Sequence, residues 1–151
     1  MMTTEDLIQY HLDVSKVELM EHPVDDLTPL MLVEGADGRT TICPLDGNTH
    51  PYDMLMAISE KIRTELQPVR LSLRVDSYMT HLDPETGQRT GRRSEAVGVN
   101  VVSVETESTT MMAYERKPSG VVFEEPKTSN ETDGRMIDAL RSMLVTHRDP
   151  D

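Results

Sequence analysis

Cys43 is followed within ten residues by Asp46, His50 and Asp53, a spacing from which a thiolate–imidazole nucleophile pair could be assembled. The surroundings argue for a structural thiol instead. Pro44 terminates the strand on which the cysteine sits, and cysteine ranks among the most buried residue types. The five histidines, at positions 11, 22, 50, 81 and 147, show no His-x-His or His-x3-His spacing that would put two metal ligands on one element. Asp46, His50 and Asp53, or Asp76, His81 and Asp83, would converge on an ion only through loop geometry, so no metal is expected. The glycines form no phosphate-binding fingerprint and no Gly-x-Ser-x-Gly elbow, which leaves nucleotide cofactors and serine hydrolysis without support. No cofactor is expected.

One local feature does stand out. Residues 67–95 carry Arg70, Arg74, Arg89, Arg92 and Arg93 against Asp76, Asp83, Glu85 and Glu95, whereas residues 1–35 carry eight acids and a single base, Lys16. Guanidinium forks match carboxylate and phosphate, so this basic island could grip an anionic group or an acidic partner surface. Asp76, Tyr78, His81, Arg89, Arg92, Arg93 and Glu95 are accordingly the candidate binding residues, and no catalytic residue is assigned. The plainer reading is a solvated loop whose arginines pair with neighbouring carboxylates.

The elements that must position these groups follow from periodicity. A Thr3 or Thr4 cap, Glu5 and Asp6 in the first turn, and Leu7, Tyr10, Val14 and Val17 at helical spacing predict a helix from about Glu5 to Met20. Leu30–Glu34 and Arg39–Leu45, joined through Gly-Ala-Asp-Gly, predict a β-hairpin. A cap at Asn48 or Thr49, Pro51 in the first turn and Leu55, Ile58, Ile62 and Leu66 on one face predict a second helix, stopped by Pro68. Val69–Asp76 alternates strictly, with Val69, Leu71, Leu73 and Val75 inward and Arg70, Ser72, Arg74 and Asp76 outward. The alternation slips at Ser77-Tyr78, which predicts a bulge or strand end there.

Residues 81–94 read as a long exposed loop. Ala96–Val104, Thr109–Glu115 and Val121–Glu124 follow as antiparallel strands. A polar linker at 126–132 then leads to a last helix capped by Thr132 or Asp133, with Met136, Leu140 and Met143 along one side. The order α-β-β-α-β-β-β-(β)-α describes one α+β domain over residues 1–147. Its sheet is mainly antiparallel, with five to six strands and the three helices on one face, and a frayed tail occupies 148–151.

Segment Val75-Asp-Ser-Tyr-Met, then Arg92-Arg93-Ser-Glu-Ala96 and Tyr114-Glu-Arg116, resembles small bacterial and phage proteins without assigned function. In these an acidic-aromatic strand end precedes a charged loop and an Arg-x-Glu start to the next strand. The resemblance covers roughly residues 69–125 and implies no activity.

Composition bounds the rest. The formal net charge of −12 repels phosphate backbones and anionic lipid, so direct nucleic-acid or membrane binding is not expected. An acidic first third could instead mimic nucleic acid and occupy the groove of a DNA-binding protein. One cysteine cannot form an internal disulfide, and no apolar run has the length of a membrane span, so a cytoplasmic location is expected. With 11 Met and only five aromatics, the core must rest on aliphatic side chains and thioethers. Together these point to a small, non-catalytic accessory or interaction protein with a protein partner. The alternative is an enzyme or ligand-binding domain at the Asp76–Tyr78 end of the sheet.

Overall fold

A computed structural model describes residues 2–130 and 134–144, the side chains of His81, Arg92 and Arg93 excepted. Helix α1 (Thr4–Glu21) starts at the Thr3 cap, whose hydroxyl accepts from the Asp6 amide while Asp6 reaches back to the Thr3 amide. It leads to the hairpin of β1 (Leu30–Gly35) and β2 (Thr40–Pro44). Helix α2 (Pro51–Leu66) is capped by His50, not by Asn48 or Thr49, and ends where Gln67 takes a left-handed conformation before Pro68. Strands β3 (Pro68–Leu82), β4 (Arg89–Ser103), β5 (Glu107–Lys117), β6 (Gly120–Phe123) and β7 (Lys127–Ser129) follow, then α3 (Arg135–Met143).

The α+β class and three helices stand, and the antiparallel sheet has strand order β2-β1-β3-β4-β5-β6, with the short β7 also pairing with β5. That seventh strand falls in the segment expected to be a linker. Its Thr128 hydroxyl meets that of Thr110 at 2.7 Å, which ties an otherwise polar stretch to the sheet. The expected caps Thr132 and Asp133 and the tail at 148–151 lie outside the described residues.

The largest departure concerns the layers. The helices cover both faces of the sheet instead of one. Against one face α2 and α3 bury Met31, Leu55, Leu71, Leu73, Leu140 and Met143. Against the other α1 buries Leu7, Ile8, Leu12 and Leu19 on Leu32, Val97, Val99, Val101 and Met112. The side of β3 expected to face solvent therefore lies under a helix: Ser72 is fully buried and Arg74 is 2% exposed. Helix α1 also presents a different side from the one its apolar spacing suggested, because Tyr10 and Val17 are exposed and His11 and Ser15 are buried.

Beyond Asp76 the strand does not end. β3 and β4 pair without interruption from Arg70–Ser103 to Thr80–Arg93, and the register shifts only between Thr80 and Leu82, where β4 carries extra residues around Gly91 at φ 83°. The expected loop at 81–94 shrinks to a tip at 83–88, closed by Asp83 N–H to Gln88 O and Gly87 N–H to Asp83 O, both 2.8 Å. Neighbouring strands do not follow this far. β1 leaves β3 after Leu30–Arg74, and β5 leaves β4 after Glu95–Tyr114. Residues 79–94 thus form a two-stranded arm that runs about 15 Å beyond the last β4–β5 pair, at some 3.3 Å per residue.

Candidate functional site

Polar side chains concentrate on the α1 face of the sheet, where strand alternation delivers every second residue of β3 to the same layer. Ser72 Oγ lies 2.7 Å from His11 Nε2, and the Ser15 hydroxyl donates to His11 O at 2.7 Å. His11 Nδ1 has no partner among the described residues. Bare Nδ1 costs less than an unpaired N–H, so the tautomer with hydrogen on Nε2, donating to Ser72, is preferred. Burial, reinforced by the charge of Arg74, lowers the His11 pKa to about 4, so the ring is neutral at neutral pH. A serine–histidine pair of this kind has the elements of a nucleophile, but both residues have zero exposure and no substrate reaches them.

Arg74 extends the layer. Its guanidinium pairs with Glu18 Oε1 at 3.1 Å and donates to Thr28 O, tying α1 and the α1–β1 connection to the middle of the sheet. Further along, Asp76 receives the Tyr114 hydroxyl at 2.8 Å and the Leu27 amide at 3.4 Å. Arg116 donates to Glu95 Oε2 at 3.0 Å, to Pro23 O at 2.7 Å and to Asp25 O at 3.0 Å, and it lies 3.4 Å from Asp26 Oδ1. Three side chains, Arg74 and Asp76 from β3 and Arg116 from β5, therefore grip residues 23–28.

The same cluster brings one carboxylate oxygen each from Asp26, Asp76 and Glu95 within 4.8 Å of one another. Burial raises the Asp76 pKa, with Asp26 and Glu95 adding to the shift against the Tyr114 and Leu27 hydrogen bonds. Burial and the Asp76 carboxylate also hold the Tyr114 hydroxyl above the ordinary tyrosine value. Arg116 already supplies the positive charge that such a group of acids requires. Each oxygen of Asp76 accepts a hydrogen bond, so the arrangement works as a clamp on the connection.

The sequence-derived candidates divide. Asp76 and Glu95 join this cluster, and Tyr78 stands directly across from Glu95 in the β3–β4 register. Arg89 pairs with Leu82 near the tip of the arm, and Arg93 pairs with Thr80. Their distance from Asp76 follows from strand rise, about 20 Å for Arg89. His81, Arg92 and Arg93 are placed by their backbone alone. Tyr78 is 60% and Leu82 58% exposed, so the arm carries apolar as well as basic residues.

Elsewhere Cys43 is half-buried against the α2–α3 core, and burial raises its pKa, away from thiolate reactivity. Asp46 accepts from the Asn48 amide and the Thr49 hydroxyl, and His50 Nδ1 accepts from the Tyr52 amide at 3.1 Å, so both serve the start of α2.

Sequence reasoning missed His11, Ser15, Tyr114 and Arg116. A signal was present for the first two: Leu7, His11, Ser15 and Leu19 follow one another at intervals of four, which inserts two polar residues into a buried helical stripe. Tyr114 and Arg116 share one side of β5 by period-two alternation. The chain matches no family model, no curated protein and no solved structure.

Proposed function

We propose that the protein is a non-catalytic interaction protein that docks a protein partner through the β3–β4 arm. The observation that carries this reading is the run of residues 79–94 beyond the last β1–β3 and β4–β5 pairs, with Tyr78 at its base and Leu82 along it more than half exposed. Two-stranded ribbons are marginal in water on their own, and large apolar side chains on such a ribbon favour burial against another surface. Arg89 near the tip of the arm adds donors suited to carboxylates on that partner. The polar groups at the base of the arm are occupied in holding residues 23–28, which supports a docking role over a chemical one.

A photo-crosslinking residue at position 78 or 82 tests the proposal in cells that normally make the protein. The expected result is one discrete adduct from these positions that is absent from position 122, an exposed site on β6. Adducts of equal yield from all three positions, or none from the arm, refute it.

A further inference from the structure

Helix α1 has a second apolar stripe that the fold leaves uncovered. Its buried side is Leu7, Ile8, His11, Leu12, Ser15 and Leu19, whereas Tyr10, Val14 and Val17 share an adjoining flank by helical spacing, on which Tyr10 faces β1 and β2. Tyr10 is 40% and Val17 53% exposed, and Ile42, on the same face of edge strand β2, is 57% exposed. Between them lies a groove of about 820 Å³, floored by Leu7 and Leu32 and walled by Met2, Tyr10 and Ile42.

The layer count explains why it is there. On the opposite face two helices, α2 and α3, lie against each other and the sheet. On this face α1 sits over β3, β4 and β6 and packs on the buried Leu32 of β1, while Ile42 on the outer strand β2 stays exposed. The groove runs between the flank of α1 and the outer strand β2.

Its rim is acidic. Asp6 and Asp13 alternate with Tyr10 and Val17 along the flank at spacings of three and four residues. At the far end Glu34 is already paired with Arg70, and Arg39 faces Asp37 at 3.7 Å. The whole chain carries −12. A second copy seated by a two-fold would bring the same acidic rims together, which is repulsive.

We infer that this groove receives an amphipathic helix of a partner protein, with apolar residues at i, i+3, i+4 and i+7 and Lys or Arg along its edges. Leucines enter between Tyr10 and Ile42, and the basic edges meet Asp6 and Asp13. The seat is separate from the β3–β4 arm.

The test uses two synthetic amphipathic helices with identical Leu faces, one with Lys and Arg edges and one with Glu edges, titrated by fluorescence anisotropy into the full chain. The basic peptide is expected to saturate one site, to weaken at least about tenfold in the Tyr10→Ser, Ile42→Ser double variant, and to shift the backbone amide signals of Tyr10, Leu32 and Ile42 in the wild type. Binding that survives the double variant, equal binding of the acidic peptide, or no binding of either overturns the inference. So does sedimentation showing a dimer that Ile42→Ser dissociates. The double variant retains the arm, and a chain with a shortened arm retains the groove, so failure of one reading is distinguishable from failure of the other.

Discussion

The two faces of the sheet are held by different physics. The α2–α3 face is a conventional aliphatic layer in which Leu55, Leu71, Leu73 and Leu140 have no measurable exposure. The α1 face interleaves Val97, Val99 and Val101 with a chain of polar contacts running from His11 and Ser72 through Arg74 to Asp76, Tyr114 and Arg116. An apolar layer tolerates rearrangement because its contacts are non-directional. A buried polar layer fixes one register, since every unmatched donor or acceptor costs free energy. That difference suits their neighbours: α1 and the connection at 23–28 lie beside the base of the projecting arm, where a fixed geometry matters most.

The comparison can be broken most forcefully at Arg74. Replacing it with Ala strips Glu18 and Thr28 O of their partner under α1 and is expected to cost about 3–5 kcal/mol in urea unfolding. A cost near 1 kcal/mol would show that the polar layer is incidental. Leu140→Ala on the other face is expected to cost about 3 kcal/mol through its cavity, and that loss should be the same at pH 5 and pH 7.

Acid distinguishes the faces further. The His11 pKa is lowered from 6.5 to about 4, so the unfolded chain takes up a proton there before the folded one does. Stability therefore falls as pH drops from 6.5 toward 4, by about 3 kcal/mol in all, and His11→Asn should remove that slope from pH-dependent unfolding curves. Asp76 has the opposite sign: the fold keeps its proton to higher pH than the unfolded chain, so its ionisation weakens the fold as pH rises through that window. Tyr114→Phe, which deletes the hydroxyl donated to Asp76, is expected to cost about 1 kcal/mol by thermal or urea unfolding. Thr3→Ala, which removes only the α1 cap, is expected to cost about the same or less.

Much of the architecture was legible in the chain. The α+β class, all three helices, the β1–β2 hairpin around Asp37-Gly38 and the alternation of Val69–Asp76 follow from period and turn chemistry. What misled was the identity of solvent. Arg70, Ser72, Arg74 and Asp76 alternate as a water-facing strand side would, and nothing in β3 alone reveals that a helix with its own buried His11 and Ser15 covers them. The 81–94 segment failed for another reason: its Gly, Pro and Asp residues are depleted from strands, yet cross-strand pairing continues along much of it because the neighbouring residues on both sides are already in register. Asp76 and Glu95 emerged from their charge pattern. Their partners Tyr114 and Arg116 did not, because only strand pairing brings β5 alongside.

The most direct measurement of the proposed role replaces residues 79–94 by a two-residue Asn-Gly turn between the paired Tyr78 and Glu95 and compares this shortened chain with the wild type by affinity co-purification from the native cells. Because the arm lies beyond the sheet and both cores, the melting temperature should be unchanged. The account predicts that a partner recovered with the wild type, and cross-linked from position 78, is lost from the shortened chain. Retention of that partner at undiminished yield would contradict it.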